Sequence, residues 1–155
     1  MKKTRRVTFA ALFENLATID ALAAEAAAAA GLGAQARHGV EMAVDEACAN
    51  IIEHAYGGES PDAVIEYAHE IQKDRLVITL RDYGKPFDPA CVPEPDLSSD
   101  IEERDVGGLG LYFMCHLMDE VTFHFSPENG NVLMMVKYKP ADEEHKNPEH
   151  EDAVA

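Results

Sequence analysis

The chain has 155 residues, 46% of them hydrophobic and 27% charged, which fits one ordinary soluble globular domain with a buried core. Against 13 Lys and Arg stand 29 Asp and Glu, a formal net charge of -16. Such a charge argues against a nucleic-acid backbone or an anionic membrane as partner and favours a basic protein surface.

Basic residues 1–6 are not followed by a secretory apolar region, because Glu14 and Asn15 interrupt the apolar stretch. No run approaches the roughly 20 apolar residues of a membrane span. Cys48, Cys91 and Cys115 are odd in number and lack a C-x-x-C pair, so reduced, buried thiols in a cytoplasmic protein are expected.

In chain order, residues 5–11 alternate weakly and predict a first strand. A helix is expected over 12–30, where the alanine run is close to the best helix composition, Leu12, Leu16, Ile19 and Leu22 supply an apolar stripe, and Gly31 and Gly33 can end it. The central helix then runs to about Tyr56. At 100° per residue, Val40, Ala43, Val44, Ala47, Ile51 and Ala55 fall on one core-facing stripe. Glu46 and Asn50 lie on its shoulder at i and i+4, so their side chains point the same way. Together they suit handling a proton and a cation, although a solvated helix edge has the same spacing.

Two strands are expected over 63–71 and 75–81, joined as an antiparallel hairpin by Gln72-Lys73-Asp74. Asp82-Tyr83-Gly84 follows the second strand. A carboxylate there can accept from a ligand amino group and Gly84 permits close approach of a flat ring, but a plain Asp-Gly turn reads the same. From Asp82 to about Asp105 no period appears; loops of this length are usually lids or disordered. Gly107-Gly108-Leu109-Gly110 then opens a short helix over 111–118, and such glycines leading into a helix can cradle phosphate or simply form a hinge. Strands over 120–125 and 132–138 flank a turn at 127–130, and an acidic tail, 141–155, is expected to be disordered. Residues 1–140 thus form the expected domain. Its fold class is α+β, a two-layer α/β sandwich with helices on one face of a mainly antiparallel mixed sheet.

The three motifs in this order, DEACANIIEHAY, RDYGKPFDP and DVGGLGLYFMCHLMDEV, resemble the nucleotide-binding boxes of the GHKL (Bergerat-fold) ATPases. HAY after the first box, Pro-Phe-Asp-Pro after D-x-G and the LMDEV ending are most similar to the anti-sigma-factor protein-serine kinases of bacterial partner-switching systems. The resemblance covers about residues 5–138. It implies ATP and Mg²⁺ as cofactors, with Asn50 coordinating Mg²⁺ and Glu46 as general base on the attacking hydroxyl. Asp82 would bind the adenine amino group beside Gly84, Gly107-Gly108-Leu109-Gly110 would wrap the phosphates, and Arg104, in the lid, would contact the γ-phosphate. The implied partners are a sigma factor or similar regulator and a small antagonist of the STAS (anti-anti-sigma) type, phosphorylated on serine, with the kinase a homodimer in the cytoplasm. Many GHKL members carry a second glycine, D-x-G-x-G, where this chain has Pro86; the kinase branch tolerates the change. Two other readings are a non-catalytic ATP-binding module of the same fold and a detached histidine-kinase catalytic domain.

Overall fold

The computed structural model describes residues 3–86 and 114–140. Strand β1 (Lys3–Ala11) leads through a 3-10 turn (Phe13–Asn15) into α1 (Leu16–Ala29), followed by α2 (Ala34–Asn50) and a π-helical turn (Ile51–Ala55). Strands β2 (Ser60–Ile71), β3 (Arg75–Asp82), β4 (Glu120–Ser126) and β5 (Gly130–Tyr138) complete a five-stranded sheet in the order β1-β2-β3-β5-β4. Every pairing among the described strands is antiparallel. This is the two-layer α+β architecture expected from the order of elements. Residues 114–117 are helical, the described part of the short helix anticipated there.

The helical layer forms because each helix has an apolar face that only the sheet and the other helix can cover. In α1, Ile19, Leu22, Ala23, Ala26 and Ala27 are buried, and across α2 and the π-helical turn the whole anticipated stripe is buried along with Cys48. Gly31 ends α1 in the left-handed region (φ 82), whereas Gly33, in extended backbone, caps the start of α2.

On the sheet, period-two alternation decides which side chains reach the helices. Leu76, Ile78 and Leu80 of β3 are fully buried, and the same parity carries Asp82 inward at 2% exposure. In β5, Leu133 and Met135 point inward, and with them Asn131 at 4% exposure. For β2 the buried set is Ile65, Tyr67 and Ile71, with Val64 on the other face. Between β4 and β5, Gly130 adopts φ 81 and the Ser126 hydroxyl accepts from the N–H groups of Glu128 and Asn129, the turn anticipated at 127–130.

Cys48 is a free, fully buried thiol, but Cys115 is disulfide-bonded, against the expectation of three reduced cysteines. The absence of C-x-x-C excludes only a local pair; a bridge between distant residues depends on a Cα separation of about 5.5 Å, which spacing in sequence does not report. No helix among the described residues is long and apolar enough to cross a membrane. The glycine cluster, Arg104, most of the anticipated lid and the 141–155 tail lie outside the described residues.

Candidate functional site

The floor of the site is the C-terminal half of α2. Asn50 is 3% exposed, and its Nδ2 is buried with no hydrogen-bond partner. Buried amide donors are rarely left unsatisfied, and doing so costs about 1–3 kcal/mol. Glu46, one turn earlier, is half-buried, and burial holds its carboxyl above the ordinary carboxylate range, reinforced by the negative charges of Glu53 and Asp45. The Asn50 amide and His54 pull it the other way without cancelling the rise. A carboxylate so tuned is a better proton acceptor than an exposed one.

Glu46 also lines a cavity of about 370 Å³ together with Asp20, Glu41 and Asp45 on the acidic side and Met42, Met114 and Leu117 on the apolar side. It thus faces a cleft beside the 114–117 segment.

Beyond Asn50 the helix widens into the π turn, and its end meets the end of β3. The Lys85 N–H donates to the Ala55 carbonyl at 2.7 Å. A Cβ on Gly84 would collide with that same carbonyl and would stand 2.9 Å from the Tyr56 ring, so this junction admits only glycine. The Tyr56 hydroxyl accepts from the Tyr83 N–H at 2.9 Å and donates to the Val64 carbonyl at 2.6 Å. The Asp82-Tyr83-Gly84 turn is therefore clamped to the helix that carries Glu46 and Asn50.

Within that turn Asp82 is buried but not unpartnered. Its Oδ1 accepts from the Gly84 N–H at 2.9 Å and from Asn131 Nδ2 at 2.8 Å. Burial raises its pKa, while these two donors, Asn131 foremost, oppose the rise. Asn131 and Tyr56 were not singled out in the sequence. The available signal for Asn131 was a polar residue at an inward position of a strand, in step with Leu133 and Met135.

Among the described residues no group of three or more His, Cys, Asp or Glu could hold a metal ion. Of the expected site residues, the structure joins Asp82 and Gly84 directly to the end of the helix bearing Glu46 and Asn50. Arg104, Gly107, Gly108, Leu109 and Gly110 lie outside the described residues.

A layer of helices over one face of an antiparallel sheet, with a polar helix shoulder clamped to an Asp-x-Gly turn, is the arrangement of an ATP-binding fold. The family model of the histidine kinase-like ATPase domain matches residues 9–137, and the chain belongs to that family. Among its relatives is the serine-protein kinase RsbW of Staphylococcus epidermidis, 35% identical over 114 residues and 70% of each chain. RsbW of Listeria monocytogenes is 33% identical over 116 residues, 72% of each chain. RsbW of Halalkalibacterium halodurans is 33% identical over 108 residues, 67% of this chain and 64% of its own.

Proposed function

We propose that this protein is an ATP-dependent protein-serine kinase that acts as an anti-sigma factor in a partner-switching system. It would sequester a sigma factor or similar regulator and phosphorylate a serine of a small STAS-type antagonist. Its similarity to serine-protein kinases supports the activity, and the observation that carries the reading is the buried, unpartnered amide of Asn50 one turn from Glu46.

The residues present fit Mg²⁺ and ATP. Asn50 stands one turn from the Glu46 carboxyl with its buried Nδ2 free to donate to a ligand, and its amide oxygen is the atom that would hold the cation. Bound Mg-ATP would supply the transferable phosphoryl group and the neutralisation of its charge. The rest falls to the chain. Asp82, ionised, presents acceptors to the amino group of the base. Glu46, with its raised pKa, accepts the proton of the attacking serine hydroxyl. Gly107, Gly108, Leu109 and Gly110 are assigned to the phosphates and Arg104 to the γ-phosphate on the resemblance of their motif. Residues 1–140 constitute the kinase domain, with 141–155 as a tail, and the active species is a cytoplasmic homodimer.

Incubation with labelled ATP, Mg²⁺ and a candidate antagonist tests the proposal. Label should appear on an antagonist serine with the parent protein and not with Glu46→Gln, which should still bind ATP. Binding without transfer by the parent protein would instead identify a non-catalytic ATP module.

A further inference from the structure

The cleft of about 370 Å³ that Glu46 lines has an apolar floor and an acidic rim. Along α2, Met42 stands one turn before Glu46 and Glu41 one turn before Asp45, so two neighbouring columns of side chains lead from Glu46 toward the start of the helix. Met42 is 48% exposed, and with Met114 and Leu117 it makes the floor. Asp20, from α1, completes the rim with Glu41 and Asp45. Its carboxyl is hydrogen-bonded to that of Asp45, and its Oδ1 is buried with no partner. No Lys or Arg among the described residues pairs with these carboxylates. Nor does any group of three or more among the described residues suit a metal ion, and the one basic side chain described in the lining is His38.

We infer that this cleft docks the serine-bearing segment of the antagonist and selects a segment in which Lys or Arg and an apolar residue flank the serine. Charge complementarity names the occupant: a rim of carboxylates without counter-ions attracts cationic side chains, and the walls of a cleft focus that field. With a net charge of -16, the chain repels an acidic segment. Met42 and Leu117 offer an adaptable apolar surface for a neighbouring side chain to cover. Glu46 lines the same cleft, so a segment seated there holds its hydroxyl beside the base. A helical turn spans about 5.4 Å and extended chain advances about 3.3 Å per residue, so the side chains that meet Met42 and Glu41 lie about two residues from the serine. This rests on the reading of the protein as a serine kinase with Glu46 as its base.

The test is equilibrium binding of a candidate STAS-type antagonist, and its labelling by Mg-ATP, with the full chain and with Glu41→Lys, Met42→Glu and Asp62→Lys. Asp62 is exposed on β2 and does not line the cleft, and its variant changes the net charge as much as Glu41→Lys does. Antagonist affinity should fall about tenfold or more in each cleft variant, while Asp62→Lys stays within about twofold of the parent. Mg-ATP affinity should stay within about twofold in all three, which shows the fold and the nucleotide site intact. Replacing with Glu a Lys or Arg within about two residues of the antagonist's serine should weaken binding to the parent and restore it to Glu41→Lys. Cleft variants that bind the antagonist like the parent, or an equal loss in Asp62→Lys, overturn the inference. A loss confined to binding of the sequestered regulator, or to self-association, also overturns it by assigning the cleft to another occupant. A parent protein that binds Mg-ATP and the antagonist without labelling it overturns the serine-kinase reading itself.

Discussion

The side chain of Tyr56 bonds the backbone of Tyr83 across the junction of helix and sheet, its hydroxyl accepting from the Tyr83 N–H at 2.9 Å while donating to Val64 at 2.6 Å. One hydroxyl therefore ties the end of the helical layer to two strands, beside the turn that presents Asp82.

Tyr56→Phe removes both bonds, leaving the part-buried Val64 carbonyl without its partner and the exposed Tyr83 N–H to water. A loss of about 1–2 kcal/mol of stability is expected, read as a lower urea midpoint with an unchanged slope. ATP affinity should weaken as well, because the turn loses its tether.

Gly84→Ala should be more severe. The added methyl collides with the Ala55 carbonyl, a backbone atom that cannot rotate away, and approaches the Tyr56 ring. Overpacking of this kind costs about 1–3 kcal/mol, and the shift needed to relieve it displaces Asp82. Loss of ATP binding at a temperature where circular dichroism still reports a folded chain is the expected outcome.

Asn50→Leu separates function from stability. Because Nδ2 makes no hydrogen bond in the protein, replacing the amide with an apolar group of similar size removes an unsatisfied donor. Without nucleotide the variant should be as stable as the parent or more so, by up to about 1–3 kcal/mol. With Mg²⁺ and ATP the stabilisation that the parent gains should vanish. Thermal melts with and without Mg-ATP measure both effects.

Asp20 provides a pH signature. Burial pushes its carboxyl from the ordinary 3.8 up to about 8, helped by a hydrogen bond with Asp45 and by the charges of Asp45 and Glu41. Between those two values the native state keeps a proton that the unfolded chain has lost. This group therefore favours folding below about pH 4, and its contribution declines as pH rises to about 8 and levels off beyond. Asp20→Asn should remove that decline: the difference in urea midpoint between variant and parent should grow in the variant's favour from pH 5 to about 8. A constant difference would show that Asp20 does not carry the proton.

Much of this was legible from local pattern. The α2 stripe follows from helical periodicity, and the offset of Glu46 and Asn50 from it follows from their numbers alone. The turn at Gly130 and the helix end at Gly31 follow from residues that tolerate left-handed backbone. The role of Gly84 was legible only in part: the sequence suggested room for a ligand ring, and the structure adds that the Ala55 carbonyl fills the space a side chain would need.

What the sequence by itself determined is whatever depends on neighbours within one turn or one strand: element type, the inward faces, and the i, i+4 pairing of a carboxylate with an amide. What only the tertiary structure decided is contact between segments far apart in the chain. Asn131 meets Asp82 across 49 positions because β5 inserts beside β3 in a particular antiparallel register, and a slip of one residue would turn Asn131 to the opposite face. The clamp of Tyr56 on Tyr83 is of the same kind, fixed by how the helical layer and the sheet close on each other.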